Sequence, residues 1–508
     1  MVDLNAPVLV TFVVYLIAMI GIGLWVYRRT VTLSDFALGG RDLNAPTAAL
    51  SAQASDMSGW LLLGLPGAVY AAGIGATWIA VGLAVGTYLN WLIVAPRLRT
   101  YTARANNSIS LSAYFEERFE DRTRSIRVVS AIVIIVFFTV YVSSGLVAGG
   151  VLFESTFGVP YTTAVTVATL VIVVYAFLGG FLAVSLTDAV QGTLMFLALL
   201  VLPLLGIGVL GGFDVLTGQV QAASPDLWTL GTEATYDAEA GTWGAPEAVG
   251  AIGIVSLLAW GLGYFGQPHI VARFMGIRSA TMVPTARRIG TTWVVVTLAG
   301  ATLVGLVGIG LLDQPLDDPE TVFLALIQEL LNPWVGGVLL AAVLAAIMST
   351  ADSQLIVSST ALTEDFYRAF LNRDASGMTL VWVGRATVIA VAIVAYIIAL
   401  PGETAILDIV AFAWAGFGAA FGPVIILSLF WSRMTGAGAM AGIVAGAATV
   451  LVWEQVPALV DTGVYSMLPG WAAALIAAFV GGRFFGKVPE RAWVGDYADE
   501  EAEAAPQA

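Results

Sequence analysis

Cysteine is absent from all 508 residues. That excludes disulfides, thiolate-ligated haem, cysteine-based zinc sites and iron–sulfur centres. Lysine occurs once, at Lys487, and histidine once, at His269. A lone histidine at the end of an apolar segment fits a structural hydrogen-bonding role better than catalysis or metal binding. Charge is scarce: 11% of residues are Asp, Glu, Lys or Arg, where a soluble chain carries about 25%. The net charge of −14 argues against nucleic acid as a partner. No phosphate loop of the GxxxxGK type is present, which argues against direct use of ATP. No stretch has room for a fused signalling or nucleotide-binding domain.

What is abundant is apolar sequence, 59% of the chain, in runs of about 20 residues that recur from end to end. Runs of that length match the hydrocarbon thickness of a bilayer, so the chain reads as an all-α polytopic membrane protein. Thirteen spans can be placed, at about 6–27, 46–72, 75–95, 128–152, 162–180, 186–210, 249–265, 289–311, 334–360, 379–399, 406–430, 437–457 and 469–483. The first has no basic residue before it and no small-residue cleavage site, so it is read as a retained helix. All 21 basic residues fall on one side of this arrangement, from Arg28, Arg29 and Arg41 after the first span to Arg483, Lys487 and Arg491 after the last. The positive-inside rule makes that side cytoplasmic, with the N-terminus outside and the C-terminus inside. Residues 1–486 then form one transmembrane domain, and 487–508 a short acidic tail. The outer segment 211–248 reads as irregular chain with one short helix, and Glu320–Leu331 as a short amphipathic helix. A further short helix is expected on the cytoplasmic side at Tyr114–Arg122.

Polar residues inside the spans carry the functional signal. Asp56 is the one carboxylate in an apolar run from about 46 to 74, flanked by Ser55, Ser58 and Gly59. An uncompensated charge at that depth costs about 2.5–3.5 kcal/mol on translocon-type scales. A charge beside serines and glycine suggests a helix that opens locally and turns carbonyls toward a ligand. The alternative is a carboxylate satisfied by a neighbouring helix. Span seven, Trp260–Gly–Leu–Gly–Tyr–Phe–Gly–Gln–Pro–His269, also makes a poor continuous helix. Trp260 and Tyr264, four apart, share a face that suits a small organic zwitterion. Interfacial packing is the competing reading. In span nine, Ser349 and Thr350 offer adjacent hydroxyls to a hard monovalent cation; the competing reading is back-bonding to the preceding turn. Asp188 and Asp352 add two more carboxylates and favour a cation route over an anion route. Spans two and seven are both broken, run in opposite directions, and each begins a group of five. That is the pattern of inverted repeats, about 46–210 and 249–430, around a midplane site.

Long stretches carry a family resemblance as well. They include Leu38–Gly–Gly–Arg41, Leu50–Ser–Ala–Gln–Ala–Ser–Asp–Met–Ser–Gly–Trp–Leu–Leu62, Trp260–Gly–Leu–Gly–Tyr–Phe–Gly–Gln–Pro–His269 and Ala413–Trp–Ala–Gly–Phe–Gly–Ala–Ala–Phe–Gly–Pro423. The chain resembles the sodium/solute symporter family, and within it the bacterial proline branch, from about Val8 to Gly482. The resemblance implies a LeuT-like core of two inverted five-helix repeats, with one helix before and two after. Sodium would be held by carbonyls of Ala54, Met57 and Ala346 and by the hydroxyls of Ser349 and Thr350. Asp56, Ser58, Asp188 and Arg41 would serve sodium coupling or its path, and Asp352 would add negative field near the inner exit. Tyr141, Trp260, Tyr264 and Pro268 would bind substrate. The activity implied is import of L-proline coupled to Na+ across the cytoplasmic membrane. No enzymatic step, organic cofactor or obligate protein partner is implied. Betaine, ectoine or a short monocarboxylate as solute, and a transporter-like sensor, remain the alternatives.

Overall fold

The structure is a computed structural model that describes residues 6–27, 37–178, 180–372 and 374–489. The acidic tail from residue 490 onward lies outside the described residues. So do Arg28, Arg29, Arg373 and Arg491 of the one-sided basic pattern.

Ten helices among the described residues are long and apolar enough to cross a bilayer. Three shorter apolar helices, Trp60–Ala72, Tyr161–Phe177 and Ala251–Gly266, fall in stretches expected to span. After α1 (Ala6–Tyr27), the segment expected to break does so. α2 (Ala45–Asp56) starts at a cap, where the Asn44 side chain accepts from Thr47 N–H and Pro46 occupies the first turn. It stops at Met57, and α3 (Trp60–Ala72) resumes after Ser58 and Gly59. Gly59 is required by proximity: a Cβ there would lie 2.6 Å from Ala148 Cβ. α4 (Ile74–Arg104) follows without interruption. The short cytoplasmic helix is α5 (Leu111–Arg118). It begins three residues earlier than expected because Ser110 caps it through Ala113 N–H. α6 (Ser125–Phe157), α7 (Tyr161–Leu178) and α8 (Phe181–Leu210) complete the first half.

Residues 211–248 depart from the expected irregular loop and from an all-helical chain. After α9 (Phe213–Ala223), β1 (Thr232–Glu233) pairs with β4 (Glu247–Ala248), and β2 (Tyr236–Asp237) with β3 (Thr242–Trp243), both antiparallel. Two-residue strands are too short to leave a period-2 signal in sequence. Tertiary contacts hold the hairpin. Tyr236 and Trp243 pack around Tyr70 with ring centroids 5.2–5.4 Å apart. The Trp243 indole donates to Tyr70 O at 2.8 Å, and the Tyr236 hydroxyl to Leu316 O at 2.8 Å.

The second half repeats the break. α10 (Ala251–Gly266) ends at Gln267 and α11 (Pro268–Gly276) continues it. The apolar helix thus ends at Gly266, close to the expected 265, and the helical path continues beyond it to Gly276; Pro268, which cannot continue a helix, starts a new one instead. α4 and α10 meet backbone to backbone: a Cβ on Gly86 would lie 2.2 Å from Gly261 O, and one on Gly82 2.4 Å from Leu258 O. α12 (Val283–Leu311) follows. The helix expected at the outer interface, α13 (Val322–Leu330), buries Val322, Phe323, Leu324, Leu326 and Ile327 against protein. α14 (Pro333–Leu371) runs well past the expected end at 360. α15 (Gly377–Ala399), α16 (Ile406–Phe430), α17 (Gly436–Gln455) and α18 (Met467–Phe484) close the chain. The core centres on two unbroken buried stretches, residues 51–67 and 339–356, which hold Asp56, Ser58, Ser349, Thr350 and Asp352.

Candidate cation and substrate site

A helix that stops inside a protein leaves its last carbonyls without intrahelical donors. At the end of α2 those carbonyls are met by side chains. Ala54 O accepts from Ser349 Oγ at 2.7 Å and from Thr350 Oγ1 at 3.2 Å, both on α14. Ser349 Oγ also lies 3.1 Å from Ala346 O. Four of the five expected sodium ligands therefore converge at one point between α2 and α14, all from oxygen, the donor type a hard cation prefers. The fifth, Met57, is buried at the break and donates its N–H to Gln53 O. Back-bonding, the competing reading of the two hydroxyls, describes only the Ser349–Ala346 contact; both hydroxyls reach across to a second helix.

Asp56 is one residue from that break. Its carbonyl accepts from Ser58 N–H at 3.1 Å, from the Trp60 indole at 3.3 Å and from the Tyr141 hydroxyl at 3.3 Å. Its carboxylate Oδ2 accepts from the Tyr264 hydroxyl at 2.6 Å, and Oδ1 has no partner among the described residues. The residue expected to serve cation coupling is thus bonded directly to one expected to bind substrate. Ser58 Oγ accepts weakly from Trp60 N–H at 3.4 Å.

Aromatic rings surround this carboxylate. Trp60 and Trp260 stand 6.3 Å apart, Trp414 meets Tyr264 edge-on at 5.1 Å, and the Trp414 indole donates to Trp260 O at 2.8 Å. Trp60, Tyr141, Trp260, Tyr264 and Trp414 are all buried. Pro268 opens α11 and lines a narrow cavity with Ile134, Met275 and Thr360. His269 departs from the expected hydrogen-bonding role: its ring contacts Phe138 and Tyr141 edge-on, and neither nitrogen has a partner among the described residues.

Asp188 and Asp352 form a second polar centre, apart from Asp56. Arg273 of α11 organises it. The guanidinium donates to Asp188 Oδ2 at 3.1 Å, to Ser51 Oγ at 3.0 Å and to Ser353 Oγ at 2.5 Å. Ser51 also donates to Asp188 Oδ2 at 2.6 Å. Asp352 is held only by Ser353, at 3.4 Å, and its Oδ2 is unpartnered among the described residues. Sequence reading missed Arg273 because it assigned this arginine to a cytoplasmic loop; it is 1% exposed.

Arg41 ties the arginine-bearing side together. It donates to Asn107 Oδ1 at 2.7 Å, Met275 O at 2.8 Å, Ser108 O at 2.7 Å and Thr102 Oγ1 at 3.1 Å. Burial and the nearby Arg99 bring its guanidinium down to about 10. On the opposite side Glu320, also missed, caps α16: its two oxygens accept from Ile406 N–H at 2.9 Å and Leu407 N–H at 3.1 Å. Burial pushes this carboxyl up to about 7, against the two N–H bonds, which favour its charged form. A folded pKa above the unfolded 4.5 means that the native state binds more protons between about pH 4.5 and 7. Stability from this group is therefore gained as pH falls through 7 and lost as it rises. The thermal midpoint in detergent should drop from about pH 6 to 8 for the parent, and Glu320→Gln should flatten that slope. Equal slopes would remove Glu320 as the cause.

The sequence profile of the sodium:solute symporter family matches residues 36–446. The chain belongs to the sodium:solute symporter family. That makes it a multi-pass, sodium-coupled transporter of the membrane and not an enzyme. Curated relatives extend the match over nearly the whole symporter. The sodium/proline symporter of Escherichia coli is 47% identical over 507 residues, 98% of this chain and 97% of its own. The high-affinity proline transporter of Bacillus subtilis is 48% identical over 464 residues, 91% of this chain and 94% of its own. Among solved structures, a Na+-coupled sialic acid symporter in a substrate-bound outward-open state aligns with a TM-score of 0.77 at 17% identity. That alignment covers 96% of this symporter and 99% of the other chain, a likeness of fold.

Proposed function

We propose that this symporter imports L-proline together with Na+ by alternating access. The convergence of Ser349, Thr350 and the Ala346 carbonyl on Ala54 O carries the cation assignment. The names of relatives at 47–48% identity support proline. Sodium would sit between α2 and α14, with the Met57 carbonyl joining when the hydroxyls turn their lone pairs inward. Hydroxyls and carbonyls coordinate a cation but hold no titrating proton at neutral pH, so Na+ is favoured over H+. Proline would lie in the ring of Tyr141, Trp260 and Tyr264 beside the unpartnered Asp56 Oδ1. Its methylenes are worth about 0.8 kcal/mol each when buried. Pro268 would border the solute from the start of α11, and Ser58, Asp188, Asp352 and Arg41 would serve sodium coupling and its path.

We further read the chain as thirteen spans in a cytoplasmic membrane, with the N-terminus outside, the C-terminus inside and inverted repeats at about 46–210 and 249–430. The two broken segments, α2–α3 and α10–α11, support that reading, as does the one-sided placement of arginine.

Purified protein in proteoliposomes should accumulate radiolabelled proline under an inward Na+ gradient. A pH gradient in Na+-free buffer should support little uptake, and equal uptake under the two gradients would sink the choice of ion. Thr350→Ala should raise the Na+ concentration for half-maximal uptake about tenfold, a loss of about 1.4 kcal/mol, with the melting temperature little changed. An unaltered Na+ requirement would move the site elsewhere.

A further inference from the structure

One side chain against the aromatic ring comes from outside the ten-helix core, and nothing above gives it a role. Tyr465 lies in the turn that precedes α18. Its ring stacks on Trp260 with centroids 5.6 Å apart and planes 20° from parallel. Its hydroxyl donates to Ala411 O of α16 at 2.7 Å. Its backbone N–H donates to Ser256 Oγ of α10 at 3.1 Å, and the Ser256 hydroxyl donates to Gly463 O at 3.3 Å. The Trp453 indole of α17 holds the same turn through Val464 O at 3.1 Å. Four connections thus fix one ring over the face of Trp260, and they come from three helices.

The turn lies on the acid-bearing side of the molecule. Its anchor, Ser256, is in the first half of α10, just after the acidic segment 211–248. Tyr465 is also less buried than the rings of the cluster: Trp260, on which it stacks, is buried, as are Tyr264 and Trp414, and Tyr465 is half-buried. A partly exposed ring stacked on a buried one places Tyr465 at the outer edge of the aromatic cluster. Because the hydroxyl reaches α16 while the backbone holds α10, separating those two helices breaks the Tyr465 contacts together with the Trp414–Trp260 hydrogen bond.

We infer that Tyr465 is the outer cover of the aromatic ring and a specificity-determining residue: it seals the compartment beside Trp260 and limits the ring size of the solute admitted. The Tyr465 phenol and the Trp260 indole form one rigid wall. The wall suits a compact cyclic amino acid and excludes the next larger homologue by contact, without a polar group to discriminate. The substrate half of the inference rests on the proline reading above; the cover itself does not.

The test has two arms. In proteoliposomes, Tyr465→Ala should raise KM for proline at least about tenfold while kcat stays within about threefold, the signature of lost binding and not of lost turnover. The six-membered homologue, piperidine-2-carboxylate, should then compete at least about tenfold better relative to proline than it does with the parent. Tyr465→Phe keeps the stack and should retain the parent's ranking of ring sizes; size-exclusion profiles verify that each variant folds. The second arm uses the absence of cysteine: Tyr141→Cys supplies a single thiol within the ring and leaves the Tyr465–Trp260 stack in place. Its labelling by a membrane-impermeant maleimide from the acid-bearing side should accelerate at least about tenfold when Tyr465→Ala is added, and hardly at all with Tyr465→Phe. An unchanged ring-size ranking in Tyr465→Ala would overturn the specificity role. An unchanged labelling rate would overturn the cover. A parent that transports no proline would overturn the substrate reading alone, because the labelling arm needs no solute.

Discussion

Replacing Asp56 with asparagine should lower Na+-driven uptake at physiological Na+ by about 10- to 100-fold while leaving the protein folded. The substitution keeps the size and removes the charge that accepts from the Tyr264 hydroxyl at 2.6 Å. A hydrogen bond to a charged partner is worth about 1.5–3 kcal/mol, which is that range of equilibrium constants. The loss should appear in both ligands, because Asp56 lies between the carbonyl of Ala54 and the ring of aromatics proposed to hold the solute. Any affinity that sodium adds to the solute, the solute adds to sodium. Tyr264→Phe alone should cost less, and the double variant should be little worse than Asp56→Asn, since the pair acts through one bond. Asp56→Glu should retain part of the activity. Parent-like transport and Na+ affinity in Asp56→Asn would mean that the break at Met57–Gly59 is organised by something else.

Arg273→Met should be the most destabilising single change at the second centre. It leaves the Asp188 charge buried with only Ser51 to satisfy it, and breaking one side of a buried pair costs about 3–5 kcal/mol. The melting temperature in detergent should fall markedly. Adding Asp188→Asn to that variant should recover much of the loss, because the stranded charge is then gone. Asp352→Asn in the parent should do the reverse of harm to stability. Two carboxylates face one guanidinium, and Asp352 has a single weak partner. If Arg273→Met melts like the parent, the Asp188–Arg273 pair at 3.1 Å contributes nothing to holding α8 against α11. If Asp352→Asn also lowers stability, Asp352 is satisfied by a group that the paired geometry does not include.

How much of this was legible in sequence varied with range. The break after Asp56 was legible because a charge, two serines and a glycine in an apolar run need no partner to be conspicuous. Ser349 and Thr350 were legible for the same reason. Their meeting with Ala54 O, 295 and 296 residues away in the chain, was not; it rested on resemblance until the fold brought α2 and α14 together. Arg273 was misplaced because a proline five residues earlier looked like the end of a membrane segment, whereas it begins a second half-helix. Glu320 looked like one more acid on an acidic side. Only the N-terminus of α16, 86 residues on, gives it two donors. The hairpin at 232–248 left no period because its strands are two residues long, and its order comes from Tyr70 and Leu316, far off in sequence.

The backbone contact between α4 and α10 has a mechanical consequence. With Gly86 against Gly261 and Gly82 against Leu258, no side chain lies between the helices to act as a bearing. Sliding one along the other would drive the bulkier neighbours of these glycines into main chain, so the two helices form a single stiff beam. A beam can only pivot, and non-helical joints stand where a pivot is needed: Gly73, at φ 83°, where α3 meets α4, and Gln267, at ψ 110°, where α10 meets α11. The half-helices α3 and α11 join the beam through these two residues. A pair of spin labels spanning α4 and α10 would keep a fixed separation through the transport cycle, an internal ruler against which the travel of those two half-helices can be measured.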